Sequence, residues 1–200
     1  MVAEKAISQV FLAQQRMTWI PKRAIVLGAG PLGLLVTMLL RLKGLEVYCA
    51  ATRPSVSLKA ELVQRVGATY VNTTEMQLRL VPGKFDLAIE ATGSVGVAIE
   101  ALSLLKSNGV LSFLGVYRNK QTCQNFGKVL TNMVLGNRLM LGSVSSDKKH
   151  FEMGLKSMIE IQHKYGDVLN RMINERLPPN DFKKAFSPDK EEIKTVICFR

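Results

Sequence analysis

Short apolar runs of strand type alternate along the chain with longer stretches in which apolar positions recur at helical spacing. Val2 to Met17 interleaves Ala6, Ile7, Val10, Phe11 and Ala13 with polar residues, predicting an amphipathic helix that ends near Trp19-Ile20-Pro21. Ala24 to Leu27 is continuously apolar and predicts a buried strand; Leu34 to Leu42 is an apolar helix-type run. Gly44 ends that run, and Leu45 to Ala50 predicts a second strand. Ser55 then caps a helix through Val66, which Gly67-Ala68 stops before a short strand, Thr69 to Val71. Asn72 to Gly83 is polar and irregular, punctuated by Pro82-Gly83.

Phe85-Asp-Leu-Ala-Ile-Glu-Ala-Thr-Gly93 predicts a fourth strand running into a glycine turn. Within it Asp86 reads as a strand-edge residue. Glu90 is able to face a crevice, but its preferred reading is a satisfied structural carboxylate. A helix from Val95 to Leu105, stopped by Asn108-Gly109, leads to a strand from Val110 to Leu114 and Gly115. The loop Val116 to Asn125 is polar; a helix around Lys128 to Leu135, a strand from Arg138 to Leu141 and a helix from Ser146 to Tyr165 follow. Strands that alternate with helices argue for a parallel sheet with right-handed crossovers, the doubly wound α/β fold with ligands at the strand C-terminal ends. The rhythm then breaks. Met172 to Leu177, a short helix from Pro178 to Phe186 and Ile193 to Phe199 read as two strands around a brief helix, outside a finished sheet.

Between the first strand and its helix lies Gly28-Ala-Gly-Pro-Leu-Gly33, a G-x-G-x-x-G turn in the strand-to-helix setting of a dinucleotide pyrophosphate site. Gly28 allows the tight turn, Gly30 admits a close pyrophosphate, and Gly33 lets helix and strand touch. Pro31 suits the first helical position, where an amide has no intrahelical partner. Backbone amides there, including that of Leu32, meet phosphate at the positive end of the helix dipole. Gly28, Gly30, Pro31, Leu32 and Gly33 are therefore candidate cofactor contacts.

The end of the second strand selects the dinucleotide. An NAD site places an acid there, about twenty residues past the glycines, for the ribose hydroxyls. This chain has Ala50-Ala51-Thr52-Arg53 instead. An arginine binds a 2′-phosphate that a carboxylate would repel, and Thr52 and Ser55 add hydroxyls. The expectation is NADP, with NAD possible if Arg53 is only a solvated loop charge.

Composition changes the picture little. The chain is 47% hydrophobic and 22% charged, ordinary for a globular core, and carries a formal net charge of +11. Its basic residues are spread out and not interleaved with aromatic residues, so an anionic cofactor is favoured over nucleic acid. No apolar run reaches the roughly 18 residues of a membrane span, and Glu4 and Lys5 interrupt a signal-peptide layout. Cys49, Cys123 and Cys198 read as reduced cytoplasmic thiols, and neither they nor His150 and His163 sit at metal-ligand spacing.

The runs Ala24-Ile-Val-Leu-Gly-Ala-Gly-Pro-Leu-Gly-Leu34, Phe85 to Gly93, Asn108-Gly-Val-Leu111 and Ile193-Lys-Thr-Val-Ile197 together resemble the C-terminal half of medium-chain zinc-type alcohol and polyol dehydrogenases. Within them the likeness is to archaeal-type glucose dehydrogenases. The resemblance implies a six-stranded Rossmann domain over residues 21–165, a linker helix over 1–20 and, in 166–200, strands that complete a GroES-like catalytic domain outside this chain. It implies that Thr92 and Gly93 line the cofactor ribose, that Leu114, Gly115, Val116, Ser143 and Val144 flank the nicotinamide, and that Arg53 holds the 2′-phosphate. The family's zinc ligands belong to that other domain, so this chain is expected to bind cofactor without turning over alone. Two alternatives stay open: an NAD(P)-occupied sensor without catalysis, and a methyltransferase, which the missing acid at Ala50-Ala51 disfavours. Apolar patches on the opening helix and closing strands are expected to drive homo-oligomerisation.

Overall fold

The computed structural model describes residues 1–117, 126–186 and 191–199. The chain opens with α1 (Val2–Ala13), and β1 (Arg23–Leu27), α2 (Pro31–Leu42), β2 (Glu46–Ala51), α3 (Leu58–Arg65) and β3 (Thr69–Asn72) follow. Next come β4 (Phe85–Glu90), α4 (Val95–Leu104), β5 (Leu105–Phe113), α5 (Phe126–Leu135), β6 (Leu139–Gly142) and α6 (Lys148–Tyr165). A short α7 (Val168–Met172), β7 (Glu175–Leu177), a 3-10 helix (Pro179–Phe186) and β8 (Thr195–Ile197) close the chain.

The first six strands form one sheet in the order β3-β2-β1-β4-β5-β6, every pair parallel. A parallel sheet covered on both faces needs strands that are apolar on both sides. In β1, Ala24 and Val26 pack into one core with Ile7, Val10 and Leu34. Ile25 and Leu27 pack into the other with Phe85, Leu102 and Leu104. Helices α1, α2 and α6 cover the first face and α4 the second. The strand order reverses between β1 and β4, and such a reversal leaves a crevice at the strand C-terminal ends.

Several boundaries differ from expectation. Pro54 and Ser57 close a turn (Ser57 N to Pro54 O, 3.0 Å), so α3 starts later and Ser57, rather than Ser55, caps it by accepting from the Ala60 amide at 3.3 Å. The opening helix ends at Ala13 and tightens into a 3-10 turn over Gln14–Arg16. Asn108-Gly109 does not stop a helix: α4 passes straight into β5, and Asn108, at φ 62°, forms a bulge inside the strand. Phe85 faces Leu105 but Leu87 faces Val110, so three extra residues (five steps on β5 against two on β4) loop out. Gln14 bonds the Asn108 carbonyl, and the Asn137 amide bonds its side chain at 2.8 Å. The loop expected from Val116 to Asn125 lies, from residue 118 onward, outside the described residues.

Asp86 sits at the other end of the sheet from the crevice. It accepts from the Lys22 and Arg23 amides, both at 2.9 Å, and pairs with Lys106 at 3.0 Å. Burial raises the Asp86 carboxyl, but these donors outweigh it and hold it below the usual carboxylate range.

The apolar face of α1 is not the open patch that its pattern suggested. Ala3, Ala6, Ile7 and Val10 are buried against α2 and α6, and Ser157 of α6 donates to the buried Glu4. Leu12 is the one large apolar side chain of α1 that is exposed; others lie on α5 (Val134, Leu135), on α6 (Phe151, Leu155, Ile159) and, beside the closing strands, at Phe186 and Phe199. There β7 and β8 pair in parallel as a separate two-stranded sheet, shorter than expected because α7 takes Met172. No helix among the described residues is long and apolar enough to cross a membrane.

Candidate cofactor cleft

Where β1 ends, Gly28 donates its amide to the Ala50 carbonyl at 2.8 Å and turns with φ 111°, a region that favours glycine. A Cβ there would lie 3.0 Å from Thr92 Cγ2. Gly33 sits on the first turn of α2, directly over that bend. A Cβ on it would come within 1.8 Å of the Gly28 carbonyl oxygen, so the close contact of helix and strand exists only because the side chain is absent. Gly30 differs from both: nothing lies within 4 Å of its would-be Cβ. It is the N-cap of α2 without a capping side chain, and Pro31 takes the first helical position. The amides of Leu32 and Gly33 in that first turn have no intrahelical acceptor, and the dipole there is positive.

This turn opens onto a cleft of about 700 Å³. Gly28, Gly30, Thr52, Arg53 and Thr92 line it, so five candidates from two strand ends and the glycine turn converge. Pro31 and Leu32 follow Gly30 on α2, whereas Gly33 is buried behind the turn and serves the packing.

At the end of β2, the Tyr70 hydroxyl donates to the Arg53 carbonyl at 2.8 Å and fixes the backbone that carries the guanidinium. The Arg53 side chain has no hydrogen bond or ion pair to any described residue. Lys59, on the first turn of α3, lines the same cleft, as does Arg79, whose Nε donates to Gln77 Oε1 at 2.7 Å. Burial, and then the Arg53 guanidinium, hold the Lys59 ammonium below the ordinary lysine value, against an opposing pull from Glu191 and Glu192. Glu100 is the acid among the described residues that line the cleft. Lys59 and Arg79 were not read from the sequence as site residues. Their one signal was basic residues in the segments after the second and third strands, which also reads as solvated charge.

Beside the cleft, Glu90 is fully buried at the end of β4. Its carboxylate accepts from the Thr92 amide at 2.7 Å, from the Gly93 amide at 3.3 Å, and from the Thr92 and Tyr117 hydroxyls. The structural reading of this acid is the one the geometry gives. Burial, and then the Glu90 carboxylate, push the Tyr117 phenol well above its usual range. The turn of Thr92 and Gly93 stacks on Leu114, Gly115 and Val116: a Cβ on Gly115 would lie 2.3 Å from the Gly93 amide nitrogen. The Leu114 and Gly115 amides both donate to the Glu90 carbonyl, at 2.8 and 3.2 Å. Gly93, Leu114, Gly115 and Val116 thus form one block beside the cleft rather than lining it. Ser143 and Val144 stand further out, after β6. The Ser143 amide donates to Phe113 O at 3.0 Å, and Lys5 donates to the Val144 carbonyl at 2.7 Å. No group of three or more His, Cys, Asp or Glu side chains among the described residues is placed to hold a metal ion.

Comparison with known proteins matches this geometry to one lineage. The family model described as "Glucose dehydrogenase C-terminus" matches residues 1–199. Glucose 1-dehydrogenase 1 of Caldivirga maquilingensis is 44% identical over 98% of this chain and 56% of its own length. Glucose 1-dehydrogenase 2 of Vulcanisaeta moutnovskia is 41% identical over the same shares. Among solved structures, Haloferax mediterranei glucose dehydrogenase in complex with NADP, Zn and gluconolactone superposes with a TM-score of 0.91 at 31% identity, covering 100% of this chain and 57% of that one. An alcohol dehydrogenase of Thermotoga maritima gives 0.79 at 25% identity, covering 98% and 53%. The chain spans about half the length of the curated relatives it matches. With a doubly wound sheet, a glycine turn opening on its crevice and a family match over nearly every residue, the chain belongs to the glucose dehydrogenase C-terminus family.

Proposed function

We propose that this chain is the nucleotide-binding half of an NADP-dependent glucose or polyol dehydrogenase. The observation that carries the reading is the cleft itself. An open lip at Gly30 and unpartnered first-turn amides suit a pyrophosphate, and an unengaged Arg53 stands where an NAD site would hold an acid. The residues fit the coenzyme. Gly28, Gly30, Pro31 and Leu32 would hold the pyrophosphate, Thr52 and Arg53 the phosphorylated ribose, and Thr92 and Gly93 the nicotinamide ribose. Leu114, Gly115 and Val116 would support the nicotinamide end, with Ser143 and Val144 beyond them. When bound, the nicotinamide supplies a hydride acceptor; this chain binds and orients it. Polarising the sugar hydroxyl and taking its proton would fall to the zinc of a GroES-like domain outside these residues. Residues 1–20 would lead from that domain and residues 166–200 would return to it. NADP complexed with the Haloferax relative supports the choice of coenzyme, and the free, exposed Cys198 suits a reducing cytoplasm.

Titrating NADPH and NADH against the chain, by coenzyme fluorescence or calorimetry, tests this. NADPH should bind more tightly. Arg53→Ala should weaken NADPH about ten- to hundredfold, the worth of a charge-assisted hydrogen bond, while leaving NADH nearly unchanged. Equal affinities in the unsubstituted chain would remove the phosphate role from Arg53.

The exposed apolar side chains of α5 and α6 support self-association. Light scattering should give a mass above that of one chain, and a monomer that persists at high concentration would overturn this.

A further inference from the structure

Glu90 holds more than the turn that follows its own strand. Its carboxylate takes the Thr92 and Gly93 amides, and its main-chain carbonyl takes the amides of Leu114 and Gly115. Tyr117 then returns from beyond β5 to donate its hydroxyl to Glu90 Oε2. The ends of β4 and β5 thus meet on one residue. Resting on the dinucleotide reading above, we propose that Tyr117 is a positioning residue for the nicotinamide. Its bond to Glu90 fixes the Gly115–Val116 backbone and so sets where Val116 meets the ring.

Stability alone is a weak reason for this arrangement. A fully buried carboxylate gives up its hydration, and its attractions in the interior offset that loss only when the geometry is good. What the carboxylate adds is direction, because every donor must come to one fixed point. Tyr117 reaches that point already oriented. Its ring meets Phe113 edge-on, with centroids 6.1 Å apart at 79°, and Phe113 packs on the core of the second face. Burial, and then the Glu90 carboxylate, keep the phenol protonated and therefore a donor. The backbone between these anchors has no slack. A Cβ on Gly93 would stand 2.7 Å from the Val116 carbonyl oxygen, and one on Gly115 would stand 2.6 Å from Glu90 Oε2. On this pinned segment Val116 presents a side chain that is 89% exposed and lies outside both cores. Rigidity here serves what lies against Val116 from outside, and a shift of about 1 Å in a reacting group is able to cost a hundredfold in rate.

The test compares NADPH with 2′,5′-ADP, which carries the phosphorylated adenylate half without the nicotinamide. Calorimetry reads both ligands, and nicotinamide emission reads the ring, in the unsubstituted chain, Tyr117→Phe and Val116→Ala. Tyr117→Phe should bind 2′,5′-ADP within about twofold of the parent and NADPH about three- to tenfold more weakly, the worth of one hydrogen bond. It should also lose most of the emission change that accompanies NADPH binding. Val116→Ala, which disturbs neither core, should lose that emission change likewise. Equal weakening of both ligands in Tyr117→Phe would mark a merely structural role and overturn the positioning. So would an emission change that keeps the parent's size in either variant. If the unsubstituted chain binds 2′,5′-ADP but leaves NADPH emission unaltered, the proposal falls and the dinucleotide site stands. If it binds neither ligand, it is the dinucleotide reading that falls.

Discussion

Gly33→Ala should lower the melting temperature by about 6–12 °C and abolish measurable coenzyme binding. The expected loss is about 3 kcal/mol, the upper part of the range for overpacking a tight contact. For a chain of this size each kcal/mol shifts the midpoint by roughly 2–4 °C. The cause is a single atom. A Cβ on Gly33 would stand 1.8 Å from the Gly28 carbonyl oxygen, which is main chain and has no rotamer to escape into. Either α2 lifts off β1, or the Gly28 bend opens. Either movement displaces the Leu32 and Gly33 amides from the crevice. Gly30→Ala is the matched control, because its φ of −76° is ordinary and its Cβ meets open space. That variant should melt with the unsubstituted chain and yet bind coenzyme poorly. Circular dichroism melts of the two variants decide the matter: a Gly33→Ala chain that melts within about 1 °C of the parent contradicts the packing described.

Glu90→Leu should destabilise the chain by about 3 kcal/mol, the sum of several donors each left without its acceptor. Leucine fills much of the volume but accepts nothing. The amides of Thr92 and Gly93 and the hydroxyls of Thr92 and Tyr117 would lose their acceptor together. Thr92 is exposed and Gly93 and Tyr117 are half-buried, so each of the four donors costs nearer the low end of about 1–3 kcal/mol. Glu90→Gln should fall between, at about 2 kcal/mol, since its amide turns a donor toward donors. Tyr117→Phe removes one donor along with its bond and should cost about 1 kcal/mol or less. Urea unfolding monitored by circular dichroism gives all three numbers. A Glu90→Leu midpoint near that of the parent would mean that the Thr92–Gly93 turn is held by something other than this carboxylate. Because the turn stacks on Leu114 to Val116, loss of Glu90 should also weaken NADPH and NADH together, unlike Arg53→Ala.

The sheet and its glycine turn were legible because they depend on local features that glycine and apolar runs announce directly. Ala24 to Leu27 has no polar residue on either face, and only a doubly covered strand tolerates that. What was misread involved signals shared by two structures. Asn108-Gly109 marks a positive-φ site, and a helix stop and a strand bulge use the same residues for the same steric reason. Ser55 and Ser57 are both adequate caps, and the turn begun by Pro54 chooses between them. The apolar face of α1 was visible, but what it meets was not, because α6 lies more than a hundred residues away. Within the cleft, Arg53 could be named from its place after the second strand. Lys59 and Arg79 could not: their convergence exists only once α3 and the turn at Leu78–Leu80 have packed on opposite faces.

The bond from the Tyr70 hydroxyl to the Arg53 carbonyl bears on how fast and how selectively the cleft captures its ligand. A guanidinium on a wandering loop would have to freeze several backbone torsions on every encounter, at about 1–2 kcal/mol per residue. Here that ordering is done during folding, and only the arginine's own rotors remain to be stilled, at about 0.5–1.5 kcal/mol. Preorganisation of this kind raises affinity without adding a contact to the coenzyme. Selectivity between two coenzymes that differ by one phosphate is thereby rooted in a phenol on the neighbouring strand, which need never touch either of them.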